Sequence, residues 1–276
     1  MIPVLDGARS LPALFEGLAG QTVAAERCEV VVVDNGSRDR SAEIAALHGA
    51  TVVREPRRGR ARARNRGVEA AAAPLIAFTD ADCIPRPGWL EALLGCLEQV
   101  SLAAGVVHLL TGEPPNSWER LEGLWRFTQE RNVASGWGAT ANLGVRREAF
   151  VSAGGFDPSY RLIGEDVDFC LRAGAAGHAI GFCERAVVAH RVESAPVEVL
   201  RRAFAHGYSS NQHAHRWPGV WGRRYWRHPR PMLAGDWALR RFGERAADNA
   251  DLLRVARAEY AGRVIGSLWA ELRGAR

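Results

Sequence analysis

The feature that most constrains the fold is a regular alternation of apolar runs and helical patterns over the first 110 residues. Four valines at 30–33 form a continuous β-branched run, which is typical of a strand buried on both faces. The pattern predicts, in order, strand 28–37, helix 38–49, strand 50–56, helix 61–73, strand 75–80, helix 87–99 and strand 103–110. Repeated units of this kind indicate an α/β protein with a mostly parallel, Rossmann-like central sheet flanked by helices.

The second half of the chain follows a different pattern. It predicts an amphipathic helix at 116–131, a glycine-rich stretch at 134–145, two short helices around a loop at 146–174 and a strand at 185–192. From Pro196 onward the chain is predicted to be helical, with a last helix from about Asp236 to Leu272 that is broken near Gly243. We therefore predict a domain over residues 1–192, with halves that meet near residue 112, and a helical extension over 193–276.

Composition excludes several classes of protein. No run of 18 apolar residues is present, and the start lacks the charged and apolar regions of a signal peptide. The first strand has only the residues "IPV", so we expect that the start is truncated. The five cysteines are scattered and odd in number, which favours reduced thiols in a cytoplasm over a disulfide framework or a zinc site.

Charge and glycine patterns limit the ligands. The net charge of +5 suggests anionic partners such as phosphates or a membrane surface, and it is too small to require nucleic acid, so no nucleic-acid partner is expected. The dinucleotide fingerprint G-x-G-x-x-G is absent from the sequence. A nucleotide would therefore be held by side chains and not by a glycine-rich loop.

Acidic residues follow two of the predicted strands. Asp34 ends the valine run, and Asp80 and Asp82 follow the strand at 75–80 with one alanine between them. Because ligands of such sheets bind beyond the carboxyl ends of the strands, all three lie at the edge where a site is expected. Two carboxylates on one side of an extended segment repel each other, and Mg²⁺ or Mn²⁺ would relieve the repulsion. The alternative is that one aspartate makes a turn and the other caps a helix.

An arginine run precedes that strand, with seven arginines between Arg54 and Arg66. In a helix, Arg60 and Arg64 share one face and Arg62 and Arg66 share another, which is unfavourable without compensation. A diphosphate over one face would compensate the charge, whereas a solvated basic helix is the alternative. An RNA groove would need interleaved aromatic residues, which the run lacks.

Six segments together resemble glycosyltransferase family 2, which has the GT-A fold. They are "IPVLDGARSLPALFEGLAGQT", "VVVVDNGSRDRS", "GRARARNRGVEAA", "AFTDADCIP", "ANLGVRREAFVSAGGFD" and "GEDVDFCLRAGAAG", and they occur in the family's order over residues 1 to about 192. The resemblance implies a metal-dependent, inverting transfer from a nucleoside-diphosphate sugar, most often a UDP-sugar, to an acceptor hydroxyl, in bacterial-type glycan or natural-product biosynthesis. It also implies that residues 1–112 bind the donor and residues 113–192 the acceptor.

The resemblance also implies roles for individual residues on the donor side. Asp34 would accept from the base, for which an Asx turn with Asn35 and Gly36 is the alternative. The residues implied to bind the nucleotide are Pro3, Asp6, Asp34, Arg64 and Asp80. Those implied to hold Mn²⁺ or Mg²⁺ are Asp82, Asp80 and His190, although a core or capping role for His190 stays open.

On the acceptor side the resemblance points to the pair Glu165 and Asp166. Asp166 would be the general base and Glu165 a contact of the acceptor. We expect Asp168 to interact only with the helix dipole. Trp137, between two glycines, would either stack on a sugar or belong to the core.

The tail combines tryptophans with arginines, at Trp217, Trp221, Trp226 and Trp237. This composition suits peripheral contact with the inner face of a membrane, a helical cap over the acceptor site or a homodimer contact. Two other functions are alternatives for the whole chain. A sugar nucleotidyltransferase would need a glycine-rich loop that "PVLDGARSLP" does not match, and a non-catalytic nucleotide- or nucleic-acid-binding module would not need Asp80, Asp82, Glu165 and Asp166.

Overall fold

A computed structural model describes residues 1–113, 115–117, 119–120, 128–191, 195–221 and 250–273. The chain divides into two compact units. The first unit contains Met1–His108, Thr128–Arg161 and Glu165–Arg191, and the second contains Leu109–Phe127, Leu162–Gly164 and Val192–Arg276. The division of the sequence at residue 192 into a domain and an extension stays a prediction.

The first three strands form a parallel sheet in the order β1-β2-β3. They are β1 (Ile2–Val4), β2 (Val31–Asp34) and β3 (Thr51–Arg54). Every residue of β2 is buried, as the continuous valine run predicts. Val4 pairs with Asp34, so the ends of β1 and β2 are level and the loops that follow them start side by side.

The other five strands form a second sheet in the order β4-β7-β6-β8-β5. Their bounds are Leu75–Thr79, Cys83–Pro85, Leu102–Leu110, Asn142–Arg146 and Ile180–Arg191 for β4 to β8. The amino group of Met1 donates to the carbonyl of Ala77 at 2.8 Å, and the Thr79 amide donates to the Met1 carbonyl, which joins β4 to the start of β1. The predicted α/β class is confirmed.

The parallel arrangement holds for β1 to β3, whereas β4 with β7, β6 with β7 and β5 with β8 pair antiparallel. The short strand β5 and the strand β7, which lies between β4 and β6, have no predicted counterpart. The pattern at β7, "NLGVR", lies in a glycine-rich stretch without a β-branched run, and β5 has only three residues. Composition alone therefore gave no sign of either strand.

The first unit contains seven α-helices within the described residues. They are α1 (Leu11–Ala19), α2 (Ser41–Leu47), α3 (Arg60–Ala70), α4 (Trp89–Leu97), α5 (Gln129–Ala134), α6 (Arg147–Ser152) and α7 (Glu165–Ala175). Helices α2 to α4, α6 and α7 lie close to predicted helices, α5 falls at the end of the helix predicted at 116–131, and α1 has no predicted counterpart. Gly49 has a φ of 78° just beyond α2, the left-handed conformation expected after a helix. Four phenylalanines pack together between the second sheet and helices α6 and α7: Phe78, Phe150, Phe156 and Phe169.

A buried polar network holds β7 in the second sheet. The Asn142 amide donates to the carbonyls of Val106 and Ala186, at 2.8 and 2.9 Å, and accepts from the indole of Trp89 at 2.7 Å. Gly105 leaves the space that this amide fills, because a Cβ there would collide with it. Asn142 therefore crosslinks three elements in the interior.

The expectation of five reduced cysteines is wrong for one pair. Cys96 in α4 and Cys183 in β8 form a disulfide, whereas Cys28, Cys83 and Cys170 are free thiols. The two partners are 87 residues apart, so their spacing gave no sign of the pairing. Cysteine usage thus no longer supports the predicted cytoplasmic location, which stays a prediction.

The second unit contains α8 (Pro196–Arg216), α9 (Pro218–Trp221) and α10 (Ala250–Leu272). Helices α8 and α10 approach closely because glycines line the contact: a Cβ on Gly207 would overlap the backbone of Arg263, and one on Gly266 the backbone of Phe204. Within the described residues, we find no helix that is both long enough and apolar enough to cross a bilayer.

Some predictions fall outside the described residues. They concern Trp226, Trp237, the break near Gly243 and most of the amphipathic helix at 116–131. The start of that last segment is described. Asn116 accepts from the amide of Glu119 at 3.0 Å, and Glu119 accepts from the amide of Asn116 at 2.9 Å, a reciprocal cap at a helix N-terminus.

Candidate active site

The central feature of the candidate site is the buried guanidinium of Arg64, which joins two carboxylates from distant parts of the chain. Its Nη2 donates to Asp80 at 2.8 Å and its Nη1 donates to Glu165. Only 2% of the Arg64 side chain is exposed. Although burial disfavours the charged form, Asp80 and Glu165 raise the pKa of Arg64 above its ordinary value. The segment after β4 and the start of α7 are thereby brought to one place.

Helix α3 aims Arg64 inward because the flanking small residues allow it. Ala61 and Ala63 are fully buried beside it, and the ring of Phe156 lies 5.9 Å from the guanidinium carbon. Asn65, the next residue, donates to the carbonyl of Phe156 at 2.8 Å and accepts from its amide at 2.9 Å. Asn65 therefore fixes the loop before α7 against α3, a role that the sequence did not suggest.

A second cluster lies at the end of the same segment and suits a metal ion. Asp82 Oδ1 is 3.3 Å from His190 Nε2, and Cys83 Sγ is the third ligand atom, all within 4.8 Å of one another. Although desolvation opposes it, the hydrogen bond and charge of His190, with a contribution from Arg60, hold the pKa of Asp82 below its ordinary value. The Asp82 side chain is 47% exposed, which leaves room for further ligands. A carboxylate beside an imidazole fits Mn²⁺ well.

Asp80 is placed differently from Asp82, since it forms an ion pair with Arg64, whereas Asp82 faces His190. The two carboxylates of residues 80–82 therefore have different partners: Arg64 for Asp80 and His190 for Asp82. Cys83 belongs to the metal cluster without having been predicted there, and Arg60 acts on Asp82 only by its charge. Only the position of Cys83 directly after Asp82 could have suggested it.

Glu165 and Asp166 begin α7 and differ in their surroundings. Glu165 is buried and its Oε1 accepts from Arg64, so its charge is compensated. Asp166 is half-buried and accepts from the backbone amides of Val167 at 2.9 Å and Thr140 at 3.4 Å. Burial, together with the charge of Glu165, raises the pKa of Asp166 to about 6, while Arg64 acts in the opposite direction. Asp166 is therefore the carboxylate poised to exchange a proton near neutral pH.

The carboxyl ends of β1 and β2 carry the remaining predicted donor residues. Asp34 is buried at the end of β2, and its Oδ1 accepts from the amide of Ser37 at 2.8 Å. This bond is the turn interaction considered as its alternative role, and Gly36 has the φ of 90° that the turn requires. Asp6 has a φ of 54° and accepts from the amide of Arg38 at 2.7 Å. Asp6 is thus exposed and tied to the neighbouring loop, while Pro3 lies within β1.

Asn35 joins the loops after β2 and β3, which the sequence did not indicate. Its amide donates to the carbonyls of Glu55 and Arg57 at 2.8 and 3.0 Å, and its oxygen accepts from the amide of Gly59 at 2.8 Å. Gly59 immediately precedes α3, so Asn35 sets where that helix begins. The outer arginines of the run, Arg54, Arg57, Arg62 and Arg66, line a polar cleft on the other side of the helix.

Two further side chains are accounted for by the fold. Asp168 is fully buried and pairs with Arg172 at 2.8 Å, which agrees with a structural role and adds a partner to the expected helix dipole. Trp137 is partly buried against the core of the first unit. The structure thus places Trp137 in the core position that was its alternative. Its predicted acceptor contact stays a prediction.

Comparisons with known proteins agree on one family. The model of Glycosyl transferase family 2 matches residues 1–149, and that of Glycosyl transferase family group 2 matches residues 76–240. The chain is 29% identical over 220 residues to glycosyltransferase AglE of Haloferax volcanii, which covers 75% of this chain and 70% of that protein. It is 33% identical over 231 residues to pre-mycofactocin glycosyltransferase of Mycobacterium tuberculosis, covering 79% of this chain. The chain spans about half, 47%, of the length of that relative.

Solved structures share the fold at lower sequence identity. Mannosyltransferase PcManGT from Pyrobaculum calidifontis, in complex with GDP-Man and Mn²⁺, aligns with a TM-score of 0.61 at 19% identity, covering 99% of this chain and 78% of that one. TarS of S. aureus, residues 1–349 in complex with UDP-GlcNAc, aligns with a TM-score of 0.56 at 15% identity, covering 99% and 90%. The architecture described above is therefore the GT-A fold.

Proposed function

This chain belongs to glycosyl transferase family 2 and is a glycosyltransferase, and we propose that its reaction is metal-dependent and inverting. The proposed donor is a nucleoside-diphosphate sugar, a UDP-sugar above all, and the proposed acceptor is a hydroxyl group. One observation carries the proposal. Arg64 joins Asp80, which follows a strand end, to Glu165 beside Asp166. Residues proposed for the donor and for the acceptor thus share one buried ion-pair network.

The donor is proposed to lie beyond the carboxyl ends of β1, β2 and β4. The positions proposed to contact the nucleotide are Pro3, Asp6, Asp34, Arg64 and Asp80, with Asp34 toward the base. The relative crystallised with GDP-Man and those crystallised with UDP or UDP-GlcNAc show that related folds take either nucleotide. UDP is proposed for this chain from the family resemblance of its motifs.

Asp82 and His190 would hold the metal, with Asp80 nearby. A bound Mn²⁺ or Mg²⁺ supplies Lewis-acid stabilisation of the diphosphate as it leaves. The residues of the chain have separate tasks around it. Asp82 and His190 place one oxygen and one nitrogen ligand 3.3 Å apart, and Arg64 of α3 adds a fixed positive charge beside Asp80.

Asp166 is proposed as the general base for the acceptor hydroxyl. Glu165 is paired with Arg64, whereas Asp166 accepts hydrogen bonds only from backbone amides within the described part of the chain. Its pKa of about 6 leaves it mostly ionised at pH 7 and basic enough to take a proton as the hydroxyl attacks. Glu165 is proposed to contact the acceptor as well, and Trp137 to approach the acceptor sugar.

Calorimetric titration tests the donor site. UDP, GDP and dTDP are titrated with and without Mn²⁺ into the wild type, Asp82→Ala and Glu184→Ala, whose carboxylate is exposed on the same strand as His190. We expect UDP to bind only with Mn²⁺, to lose most of its affinity in Asp82→Ala and to keep it in Glu184→Ala. Metal-independent binding of equal strength in all three proteins would refute the metal site.

The stereochemistry is tested on the product. The transferred sugar is expected to show the opposite anomeric configuration to that of the donor in the NMR spectrum. Retention of the donor configuration would rule out the single displacement with Asp166 as base. The acceptor proposed here is defined only as a hydroxyl compound, so a panel of lipid-linked, glycan and small-molecule acceptors is the substrate set.

A further inference from the structure

The outer side of α10 carries an apolar face that the family activity does not explain. Ile265, Leu268 and Leu272 recur at intervals of three and four residues and are 57%, 54% and 82% exposed. Trp269, 44% exposed, lies beside them. Large apolar side chains that expose half or more of their surface on one helical face mark an interaction surface.

The same helix has a separate buried side, so the exposed face is not the side that packs on α8. The contact with α8 is made by Gly262 and Gly266, which lie close to Ala203 and Phe204. One face of α10 is used for packing against α8. The second apolar face is turned outward and is available to another partner.

The net charge of residues 193–276 indicates which kind of partner suits this face. Residues 193–276 contain fifteen arginines, no lysine and eight carboxylates, a net charge of +7, whereas residues 1–192 carry a net charge of −2. The positive charge of the protein is thus concentrated in residues 193–276. Helix α10 itself has three arginines and three carboxylates, so the excess lies on either side of it, with Arg273 and Arg276 directly after its end. A second copy of the chain would bring two segments of +7 together, which is unfavourable. An anionic surface would be attracted.

Trp269 adds a specific anchor at the edge of the face. The guanidinium of Arg273 lies 4.7 Å from the centre of the Trp269 ring. An indole stacked with an arginine has an apolar body and a cationic rim, the combination that favours the boundary between lipid headgroups and acyl chains. Exposed leucine and isoleucine side chains beside it suit the first few ångströms of the hydrocarbon layer.

We propose that the outer face of α10, formed by Ile265, Leu268, Trp269 and Leu272, binds the surface of an anionic bilayer. The helix lies in the plane of the interface and does not span it, which agrees with the absence of a spanning helix among the described residues. This surface differs from the tryptophan-rich segment that the sequence suggested. The proposal does not depend on which sugar or acceptor the enzyme uses.

Vesicle sedimentation of the full chain tests the proposal. The vesicles contain either phosphatidylcholine alone or phosphatidylcholine with about a third phosphatidylglycerol. We expect the wild type to sediment with the anionic vesicles, at least about tenfold less with the neutral ones, and less again as salt is raised. Failure of the wild type to sediment with anionic vesicles would overturn the proposal.

Matched double variants assign the binding to α10. Leu268→Gln with Leu272→Gln removes the apolar face, and Leu47→Gln with Val151→Gln removes two equally exposed side chains, 76% and 68%, from the first unit. We expect about a tenfold loss of vesicle binding for the first pair and none for the second. Because all four side chains are exposed, circular dichroism should show unchanged folding in both proteins.

Two outcomes would contradict the assignment. If the α10 variant sediments like the wild type, the binding is due to arginine charge elsewhere. If the wild type instead forms a dimer by light scattering, fails to sediment with vesicles, and becomes a monomer in the α10 variant, the face is a contact between copies of the chain and the membrane proposal is wrong.

Discussion

At the scale of single residues, Arg64 determines whether the candidate site exists. It is buried between Asp80 and Glu165, so its removal leaves two carboxylates near one another without a counter-charge. We predict that Arg64→Ala lowers the free energy of unfolding by about 3–5 kcal/mol, the cost of breaking a buried ion pair from one side. Urea denaturation of the purified proteins measures this loss.

A neighbouring arginine provides the control for that prediction. Arg62 lies two positions away on the same helix, lines the polar cleft and forms no ion pair with any residue that the structure describes. Arg62→Ala should change the free energy of unfolding by less than about 0.5 kcal/mol. Equal losses in both variants would mean that α3 needs its arginines for helix stability and that the bridge contributes nothing specific.

The second residue-scale prediction concerns the ionisation of Asp166. Because burial and Glu165 raise its pKa to about 6, the base is protonated below that pH and ionised above it. We predict that kcat/KM falls tenfold per pH unit below about pH 6 and that this ionisation no longer changes kcat/KM above that pH. The fall is the acidic limb of the pH profile. A profile measured from pH 4.5 to 8 at fixed ionic strength reports the transition.

The variant Glu165→Gln tests whether the ionisation of Asp166 causes the fall of kcat/KM at acidic pH. The amide keeps the size of the side chain but removes the negative charge that raises the pKa of Asp166. Arg64 remains and acts in the lowering direction. The acidic limb should therefore move to lower pH, even if kcat also drops. An unmoved limb would indicate that another group controls the profile.

The sequence predicts where many of the proposed site residues lie in the fold, but not how they pair. Asp34, Asp80 and Asp82 follow strand ends, a position that the alternation of runs predicts directly. That Arg64 would take Asp80 while Asp82 faces His190 depends on the packing of α3 and β8, which are far apart in the chain. Because ion pairs of this kind depend on tertiary packing, no local sequence pattern predicts them.

At the scale of elements, strand β7 depends on Asn142. Its amide bonds to Val106 and Ala186, and its oxygen accepts from Trp89, all in the interior. Asn142→Ala should lower the free energy of unfolding by about 3 kcal/mol, since three buried groups lose a partner. Asn132→Ala, at a half-buried asparagine on α5, should cost under about 1 kcal/mol in the same urea titration. A smaller loss at Asn142 than at Asn132 would refute this role.

The close contact of α8 with α10 gives the second prediction at this scale. A methyl group on Gly207 would overlap the Arg263 backbone, so Gly207→Ala must push the helices apart. We expect a loss of about 2 kcal/mol or more, seen as faster limited proteolysis within residues 193–276. Gly95→Ala in α4, where a Cβ meets nothing within 4 Å, should instead be neutral or stabilise by about 0.5–1 kcal/mol. Equal proteolysis of both variants and the wild type would show that the contact is unimportant.

Strong periodicity explains which elements were predicted. Strand β2 and helices α2 to α4 have clear patterns and occur where those patterns lie. Strand β7 alternates glycine and asparagine with apolar residues and is held by the buried amide of Asn142. Its place between β4 and β6 in the second sheet follows from that tertiary network, which overrides weak local propensity.

At the scale of the whole molecule, charge divides the chain into two parts. Residues 1–191 have a net charge of −2 and contain every residue proposed for donor and metal binding. Residues 193–276 have a net charge of +7 and contain the proposed membrane-binding face. The total of +5, from which anionic partners are expected, hides this asymmetry because the charges of the two parts partly cancel.

The last prediction follows from that asymmetry. A chain that stops after Arg191 should still bind UDP with Mn²⁺ in calorimetry, since Asp34, Asp82 and His190 all belong to the first unit. Its vesicle binding should be lost, because the cationic segment and α10 are absent. Circular dichroism first establishes that the shortened chain folds. If the folded, shortened chain has lost nucleotide binding, residues 193–276 complete the donor site, and the division of donor binding from membrane binding is wrong.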